Sequence, residues 1–422
     1  MEPHTSSLLD HLFRHQSGRI LAHLTRLLGP QHLETAEEAV QEAMLRALQT
    51  WPHHGAPDNA PAWLFRVAHN AAIDAVRRDR TGGLKSAEFV EALNRAAVHT
   101  PGDPDFEEQL RDNELRLVFM CCHPGIPRES RVVLSLKVAG GFSVREIARA
   151  FLAADEAIAQ RLVRARRQIR DQKLTLDMPH GTELSERLDS VLEVIYFMFN
   201  EGYGTHEGED LIRTDLCFEA LRLGEMIASS SISAPRVHAL TALMALQAAR
   251  LSARTDDAGD LILLDRQDHS RWDEHLIALG FHYFERSIAG DRVSLYHAQA
   301  AIAAAHARGA KWLEILDLYE QLFALSPSPV VALNRAVAIA KVAGPADALA
   351  AIESLDLPGY HLYLAVRGHL LLELGARAEA AACFAAALEC RCSEPEKRFL
   401  RRKIAECDQG AGVAIGLPLS TT

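Results

Sequence analysis

The chain has 422 residues, a formal net charge of −11 at pH 7, and 48% hydrophobic and 24% charged residues. This composition is ordinary for a soluble globular protein, and the length suffices for two or three domains. No apolar run reaches the roughly 18 residues that a bilayer-spanning helix needs, and the first residues lack the basic start and apolar core of a signal peptide. The sequence therefore predicts a cytoplasmic protein without a membrane partner.

The residue types favour helices throughout. Leu, Ala, Arg and Glu dominate, aromatic residues make up 6%, and runs that alternate β-branched and polar residues are few. The seven cysteines are odd in number, and the neighbouring pairs lack the C-x₂₋₄-C spacing of a zinc site. We expect an all-α fold with buried free thiols, no metal and no cofactor.

The acidic charge belongs to the C-terminal part. Residues 1–173 contain 23 Lys and Arg against 22 Asp and Glu, whereas residues 174–422 contain 22 against 34. Within the first part, six basic residues crowd into thirteen positions where Asp171 is the only acid: Arg161, Arg164, Arg166, Arg167, Arg170 and Lys173. Such a local basic stripe predicts a surface that contacts phosphates.

Residues 8–50 predict two or three helices with a break at "GPQHLET". In "ETAEEAVQEAMLRALQTW", five apolar residues recur at helical spacing on one face: Ala36, Val40, Ala43, Met44 and Ala47. The polar residues of the opposite face are Glu37, Glu38, Gln41, Glu42 and Arg46. This segment is therefore an amphipathic helix.

A loop over residues 52–61 leads to a second amphipathic helix, "AWLFRVAHNAAIDAVRRDR" over residues 62–80. Its apolar face carries Leu64, Val67, Ala68, Ala71 and Ala75, and its polar face carries Arg66, Asn70, Asp74 and Arg77. It begins with Trp63 and Phe65, either of which would equally suit a buried core, and it ends with Arg77, Arg78 and Arg80. Gly, Pro and charged residues then predict a linker over about 81–110.

Residues 140–172 predict a pair of helices joined by a tight turn. Ser143 and Glu146 have the spacing of a capping box at the start of the first helix. After a short turn near 152–154, a longer helix capped by Asp155 would bury Ile158, Leu162, Ala165 and Ile169 and expose its arginines. A short helix, a tight turn and a basic second helix are typical of a helix-turn-helix, whose second helix enters the DNA major groove.

The C-terminal half has an internal period of 32 to 33 residues. Ala303, Ala336 and Gly368 are equivalent; so are Tyr319, Ile352 and Phe384, and Ala348 and Ala380. This small/large pattern is typical of tetratricopeptide repeats, which stack helix pairs and offer a surface to a protein or peptide partner.

Two further segments have weaker signals. Residues 256–276 predict a short strand pair before the next helix. The acidic and histidine residues His206, Glu207, Glu209, Asp210 and Asp215 suit either a metal site or the charged start of a helix, and the second interpretation is favoured.

Three of these segments, in this order, resemble the two conserved regions of bacterial extracytoplasmic-function sigma factors: "AEEAVQEAMLRALQTW", "PAWLFRVAHNAAIDAVRRDR" and "FSVREIARAFLAADEAIAQRLVRARRQI". With "FNEGYG" and "LLDRQDHSRWD", the chain resembles the subgroup that carries a long tetratricopeptide-like C-terminal extension. The resemblance implies a non-enzymatic subunit that binds the clamp helices and flap of core RNA polymerase and recognises promoter DNA. It also implies that the extension is regulatory.

The resemblance further implies roles for individual residues. The polymerase-binding residues would be Glu37, Glu38, Gln41, Glu42 and Arg46. The residues at the melted −10 element would be Trp63, Phe65, Arg66, Asn70, Asp74, Arg77, Arg78 and Arg80. The residues at the −35 element would be Arg145, Ala157, Gln160, Arg161, Arg164 and Arg167.

The implied organisation has six parts: a region 2 domain (1–82), a linker (83–110), a region 4 domain (111–175), a helical extension domain (176–290), repeats (291–410) and a tail (411–422). The main alternative is a helix-turn-helix regulator with a repeat-type sensor domain that acts at an operator. An enzyme is disfavoured because no G-x-S-x-G, H-E-x-x-H or dinucleotide fingerprint is present.

Overall fold

The computed structural model describes residues 3–78, 104–151, 153–204, 212–290 and 292–409, and side chains from Gln16 onward. In this part of the chain, the regular elements are α-helices and short 3₁₀ turns, so the predicted all-α fold is confirmed. The predicted strand pair at 256–276 is wrong: the described residues there form a single antiparallel bridge, Thr255 with Leu261, and 3₁₀ turns. The chain divides into two compact units, Met1–Phe197 and Met198–Thr422.

The first unit begins with three helices: α1 (Pro3–Leu28), α2 (Leu33–His54) and α3 (Ala60–Arg78). Gly29, with a φ of 87°, and Pro30 end α1 and start a 3₁₀ turn, because glycine adopts positive φ at little cost and proline cannot continue the helix. The apolar faces of α2 and α3 are buried as their spacing predicts, with Ala36, Val40, Leu64 and Ala68 in the core.

The second half of this unit contains α4 (Pro104–Cys121), α5 (Arg128–Val138), α6 (Val144–Ala150) and α7 (Asp155–Asp171). Helix α4 starts inside the predicted linker. Its first turn contains a proline and acidic residues, which favour a helix start, and Phe106 and Leu110, one turn apart, are buried. Arg19 of α1 forms an ion pair with Glu107 of α4.

Helix α8 (Gly181–Tyr203) contains the residue at which the two units divide. Its first half packs against the end of α4: the Arg187 guanidinium donates to the Phe119 carbonyl at 2.9 Å, and the Ser190 hydroxyl donates to the Cys122 carbonyl at 2.8 Å. These bonds satisfy carbonyls at a helix end that have no partner within the helix. The compact unit therefore extends past the predicted domain boundary at residue 175.

The second unit continues with α9 (Thr214–Ala228), α10 (Pro235–Ala248) and α11 (Glu274–Ser287). The helices that follow are α12 (Leu295–Ala307), α13 (Trp312–Leu325), α14 (Pro329–Val342), α15 (Pro345–Ile352), α16 (His361–Glu373), α17 (Arg377–Leu388) and α18 (Glu394–Gln409). The equivalent positions of the 32- to 33-residue period fall on successive helix pairs. Gly368 of α16, for example, lies against Phe384 of α17, where a Cβ would come within 2.8 Å of the ring.

Six of the seven cysteines are buried free thiols, and Cys390 is a half-buried one. Burial raises the pKa of Cys122 to about 11 and that of Cys217 to about 12, so both thiols stay protonated at neutral pH. Among the described helices, none has the length and apolar character needed to cross a bilayer.

Candidate functional site

Helices α6 and α7 form the two-helix element that the sequence predicts. The Ser143 hydroxyl accepts from the Glu146 amide at 3.1 Å, and the Glu146 carboxylate accepts from the Ser143 amide at 2.7 Å, which confirms the capping box. Residues 151–154 separate the helices, and the four inward residues of α7 are buried: Ile158, Leu162, Ala165 and Ile169. The predicted N-cap of α7 is wrong by one residue, because Ala154 is the N-cap and Asp155 lies in the first turn. There the negative charge of Asp155 interacts favourably with the helix dipole.

The opposite side of α7 is exposed and basic. Gln160, Arg164 and Arg167 are exposed, and Ala157 and Arg161 are half-exposed. Arg161 lies 3.5 Å from Glu129 and Arg167 lies 3.3 Å from Asp171, so each of these guanidiniums has an acidic neighbour on the surface. Arg145 is exposed on α6. The structure thus brings the six residues predicted for the −35 element onto one two-helix unit.

Helix α3 presents a polar face with Arg66, Asn70, Asp74, Arg77 and Arg78, all exposed. Trp63 is half-exposed, and its ring packs edge-on against Trp51 at 5.4 Å between centroids. Arg80 lies outside the described residues.

The prediction that Phe65 contacts the −10 element is wrong for this conformation. Phe65 is 4% exposed, and its ring packs edge-on against Phe106 at 5.2 Å and near His23 at 5.0 Å. Because these partners belong to α4 and α1, Phe65 forms part of the core that joins three helices, and no base could stack on it there.

The polar face of α2 carries four of the five predicted polymerase-binding residues on the surface: Glu38, Gln41, Glu42 and Arg46. Arg46 donates to Glu42 at 2.7 Å. A surface cleft between α2 and α3 is lined by Glu38, Glu42, Arg46, Asp74, Arg77 and Arg78. Three of the residues predicted for polymerase and three of those predicted for the −10 element therefore share one polar cleft.

Glu37, the fifth residue, is not available on this surface. It is 6% exposed, and its carboxylate accepts from the Arg166 guanidinium of α7 at 2.6 Å. Burial raises the pKa of Glu37, and the nearby charges of Arg166 and Lys137 offset that shift only in part. Glu37 thus contributes to packing within the unit in this conformation, and its predicted contact with polymerase is corrected.

Two apolar residues beside the polar face of α2 are exposed although no sequence pattern singled them out. Leu45 and Leu48 are both about half exposed, which is unusual for leucine, and they line a cleft with Lys137, Gly141 and Glu146. Their position in the sequence could have indicated this exposure, because both leucines lie off the apolar face of α2. Exposed apolar side chains rimmed by polar residues mark interaction surfaces.

The "FNEGYG" segment at the end of α8 has a packing role in the second unit. Tyr203 receives a hydrogen bond on its hydroxyl from Arg250 at 2.7 Å, and the Arg254 guanidinium lies 3.9 Å from its ring centroid. Asp215 lies in the first turn of α9, as a helix-start charge would, whereas His206, Glu207, Glu209 and Asp210 lie outside the described residues.

The "LLDRQDHSRWD" segment builds the turn before α11. Asp273 is the N-cap of α11 and accepts from the amides of His275 and Leu276. Asp268 accepts from the Ser270 amide, and Gln267 donates to the Ile262 carbonyl at 3.2 Å. The segment is thus fixed by local hydrogen bonds.

Comparison with known families matches three stretches of the chain. Residues 12–81 match sigma-70 region 2, residues 116–169 match sigma-70 region 4, and residues 187–288 match a family of unknown function, DUF6596. The first match contains α2 and α3, and the second contains α6 and most of α7.

Three relatives illustrate the range of similarity. An uncharacterized protein of Rhizobium meliloti, R00370, is 38% identical over 89% of this chain and 90% of its own length. The probable RNA polymerase sigma factor RfaY of Xanthomonas campestris is 29% identical over 33% of this chain and 34% of its own length. The ECF RNA polymerase sigma factor SigG of Mycobacterium tuberculosis is 27% identical over 41% of this chain and 53% of its own length.

No solved structure matches the chain. The sigma-70 matches cover the helices that carry the predicted interface residues, and the near-full-length relative shares the extension as well. The chain belongs to the extracytoplasmic-function sigma factors, as a member with a long helical C-terminal extension.

Proposed function

We propose that the protein binds core RNA polymerase in the cytoplasm, recognises the −10 and −35 elements of a promoter and starts transcription, and that its extension tunes this activity. The observation that carries the proposal is the pair of matched sigma regions with their polar faces exposed on α2, α3 and α7. The protein would act as a specificity subunit without chemistry of its own.

The −35 element would be read by α7. Gln160 and Arg164 are exposed, and such side chains form bidentate hydrogen bonds with adenine and guanine edges respectively. Arg167 of α7 and Arg145 of α6 are also exposed and would contact phosphates, which position the protein without specifying a base. Ala157 and Arg161 complete the groove-facing side.

The −10 element would be held by α3. Arg66, Asn70, Asp74, Arg77 and Arg78 form its exposed polar face. Trp63 offers a partly exposed ring, and stacking of an unpaired base on an aromatic ring contributes about 1–3 kcal/mol. The core position of Phe65 leaves Trp63 as the aromatic candidate on this helix.

Helix α2 would bind the clamp helices of core polymerase, and the region 4 domain would contact the flap of core polymerase. Glu38, Gln41, Glu42 and Arg46 supply the polar contacts, which fix register more than affinity. We add Leu45 and Leu48, because their exposed side chains would bury apolar area in the complex.

Regulation by the extension would take one of two forms that follow from its acidic charge. The acidic extension would either shield the basic helix α7 in the free protein or stabilise the polymerase-bound state. A protein or peptide partner on the repeats is a third route to the same control.

Co-elution with core bacterial RNA polymerase on a sizing column tests the proposal. The full chain should co-elute, and the double variant Glu38→Lys/Glu42→Lys should bind at least tenfold more weakly. The control is Glu34→Lys, a single charge reversal at an exposed α2 residue outside the proposed set, and the single variant Glu38→Lys is its match in charge. A chain that never joins polymerase but binds duplex DNA on its own would instead support the operator-binding regulator.

DNA recognition is tested on the assembled holoenzyme with fragments selected from a random pool. Arg164→Ala should weaken binding to the selected fragments about tenfold and relax their sequence, as loss of a base-contacting arginine does. Arg170→Ala, an exposed arginine of α7 outside the proposed set, should cause only the smaller, sequence-independent loss expected for one charge. Equal effects of the two variants would contradict base readout by Arg164.

A further inference from the structure

The helices of the C-terminal repeats enclose a cavity of about 320 Å³ in the second unit. We call it the repeat cavity. Five of the residues that line it come from different elements: Trp312 of α13, Val337 of α14, Ala365 of α16, Phe399 of α18 and Leu264 of the connection between α10 and α11. Its lining is mainly aliphatic and aromatic, and its volume lies at the lower end of the range for small-molecule pockets.

One wall of the repeat cavity is the chain's own segment 261–265. Asp265 of this segment accepts from the Lys341 ammonium of α14 at 2.9 Å. At the preceding turn, Asp260 pairs with both Arg398 and Arg402 of α18. These ion pairs fasten the segment at two points, so it forms a fixed wall of the cavity.

The charged side chains of the lining already face partners. Asp265 pairs with Lys341, Glu396 lies 3.1 Å from His361, and Glu373 lies 3.2 Å from His369. A charged ligand would find no unpaired counter-ion among the described residues that line the cavity, and burying its charge there would be costly.

The lining also carries three polar side chains: His306 and Tyr319 are half-buried, and Asn334 is exposed. Burial and the charge of Arg250 lower the pKa of His306 to about 4, so its imidazole is neutral at pH 7 and offers one donor and one acceptor. The Tyr319 hydroxyl and the Asn334 amide each offer a donor and an acceptor as well.

Entry to the repeat cavity is marked by exposed apolar residues. Val337 of α14 is 37% exposed and Leu362 of α16 is 40% exposed, and both also line the cavity. An apolar molecule that enters would therefore contact apolar side chains at the surface.

We propose that the repeat cavity binds a small, uncharged, mainly apolar molecule that carries at least one hydrogen-bonding group. The apolar walls supply the affinity, and His306, Tyr319 and Asn334 of the lining supply the polar contacts. The extension is then a ligand-binding domain. This inference goes beyond the proposed function, and its test on the free chain does not depend on polymerase binding.

The probe is N-phenyl-1-naphthylamine, an uncharged dye with one N–H group whose fluorescence rises in apolar surroundings. Titrated into the full chain, it should show a saturable rise at one dye per chain. Its sulfonated relative, 8-anilinonaphthalene-1-sulfonate, has the same ring skeleton with a negative charge and should bind at least tenfold more weakly. Absence of saturable binding overturns the site, and tighter binding of the sulfonate overturns the uncharged class.

A pair of variants on α14 locates the binding. Val337→Trp places a large ring at the mouth of the repeat cavity and should weaken dye binding at least tenfold. Val330→Trp is the matched control, since Val330 is 42% exposed on the same helix and does not line the cavity. It should leave the affinity within twofold of the original. Equal affinities of the two variants would overturn the assignment to this cavity, and circular dichroism verifies that both fold.

Discussion

The Glu37 carboxylate of α2 lies 2.6 Å from the Arg166 guanidinium of α7, although 129 residues separate them in the sequence. Both side chains are mostly buried. The pair therefore joins the helix proposed for polymerase binding to the helix proposed for DNA binding, within one compact unit. A buried carboxylate contributes to stability only while its partner and hydrogen bonds are present.

Replacement of Arg166 should strongly weaken the packing of α2 against α7. Arg166→Met leaves the Glu37 carboxylate buried without its cation, and breaking a buried pair from one side costs about 3–5 kcal/mol. Hydrogen exchange should show α2 and α7 opening with a free energy lower by about 3 kcal/mol. The control is Arg164→Met, which removes an exposed arginine of the same helix and should change this value by less than about 0.5 kcal/mol.

The double variant Glu37→Leu/Arg166→Met separates the ion pair from its desolvation cost. Replacing both partners by apolar side chains is often neutral or stabilising, so most of the lost free energy should return. If Arg166→Met alone leaves exchange in α2 unchanged, the pair does not hold the two helices together.

The raised pKa of Glu37 gives this opening a pH dependence with a definite sign. Since the folded carboxyl binds its proton more tightly than the unfolded one, the free energy of opening is highest at low pH. It falls as the pH rises from the ordinary glutamate pKa through the raised one, and then becomes constant. In Glu37→Gln this pH-dependent part of the free energy of opening should be absent. Hydrogen exchange measured at a series of pH values checks this. An identical pH profile in the variant would contradict the raised pKa.

Helical periodicity predicted the secondary structure of the first unit well because the apolar faces of α2, α3 and α7 are set by residues on the same helix. Ala36, Leu64 and Ile158 are buried where the 3.6-residue repeat places them. The capping box of Ser143 and Glu146 is equally local, since all its atoms lie within four residues.

Periodicity failed where a partner comes from another helix. Glu37 is next to the exposed Glu38 and belongs to the polar face, but α7 covers it, which no pattern within α2 could reveal. Phe65 is buried by His23 and Phe106 from two other helices. The repeat cavity was likewise hidden, because one wall comes from residues 261–265, outside the repeats that the period identifies.

The first half of α8 should be needed for a stable first unit. A fragment of residues 1–173 lacks Arg187 and Ser190, which donate to the Phe119 and Cys122 carbonyls at the end of α4. We expect a fragment of residues 1–197 to be more stable by about 2 kcal/mol, since two buried hydrogen bonds contribute about 1 kcal/mol each. Urea unfolding of both fragments measures the difference. Equal midpoints and slopes would indicate that the unit ends before α8.

Gly202 should be the least replaceable glycine of the "FNEGYG" segment. A Cβ at this position would lie 2.8 Å from the Arg213 carbonyl oxygen and 2.9 Å from the Cys217 nitrogen, and both are backbone atoms. The Arg213 amide also donates to the Gly202 carbonyl at 2.7 Å, so the two chain segments cannot separate without losing that bond. Overpacking of this kind costs about 1–3 kcal/mol, which exceeds the gain of about 1 kcal/mol from alanine in a helix.

Gly204 provides the matched control, because a Cβ there would meet no atom within 4 Å. Gly202→Ala should lower the midpoint of thermal unfolding of the second unit by several degrees, whereas Gly204→Ala should leave it nearly unchanged. Differential scanning calorimetry of the full chain measures both midpoints. Equal midpoints for the two variants would mean that α8 can move away from the Arg213 backbone at little cost, and the close contact would then not explain the glycine.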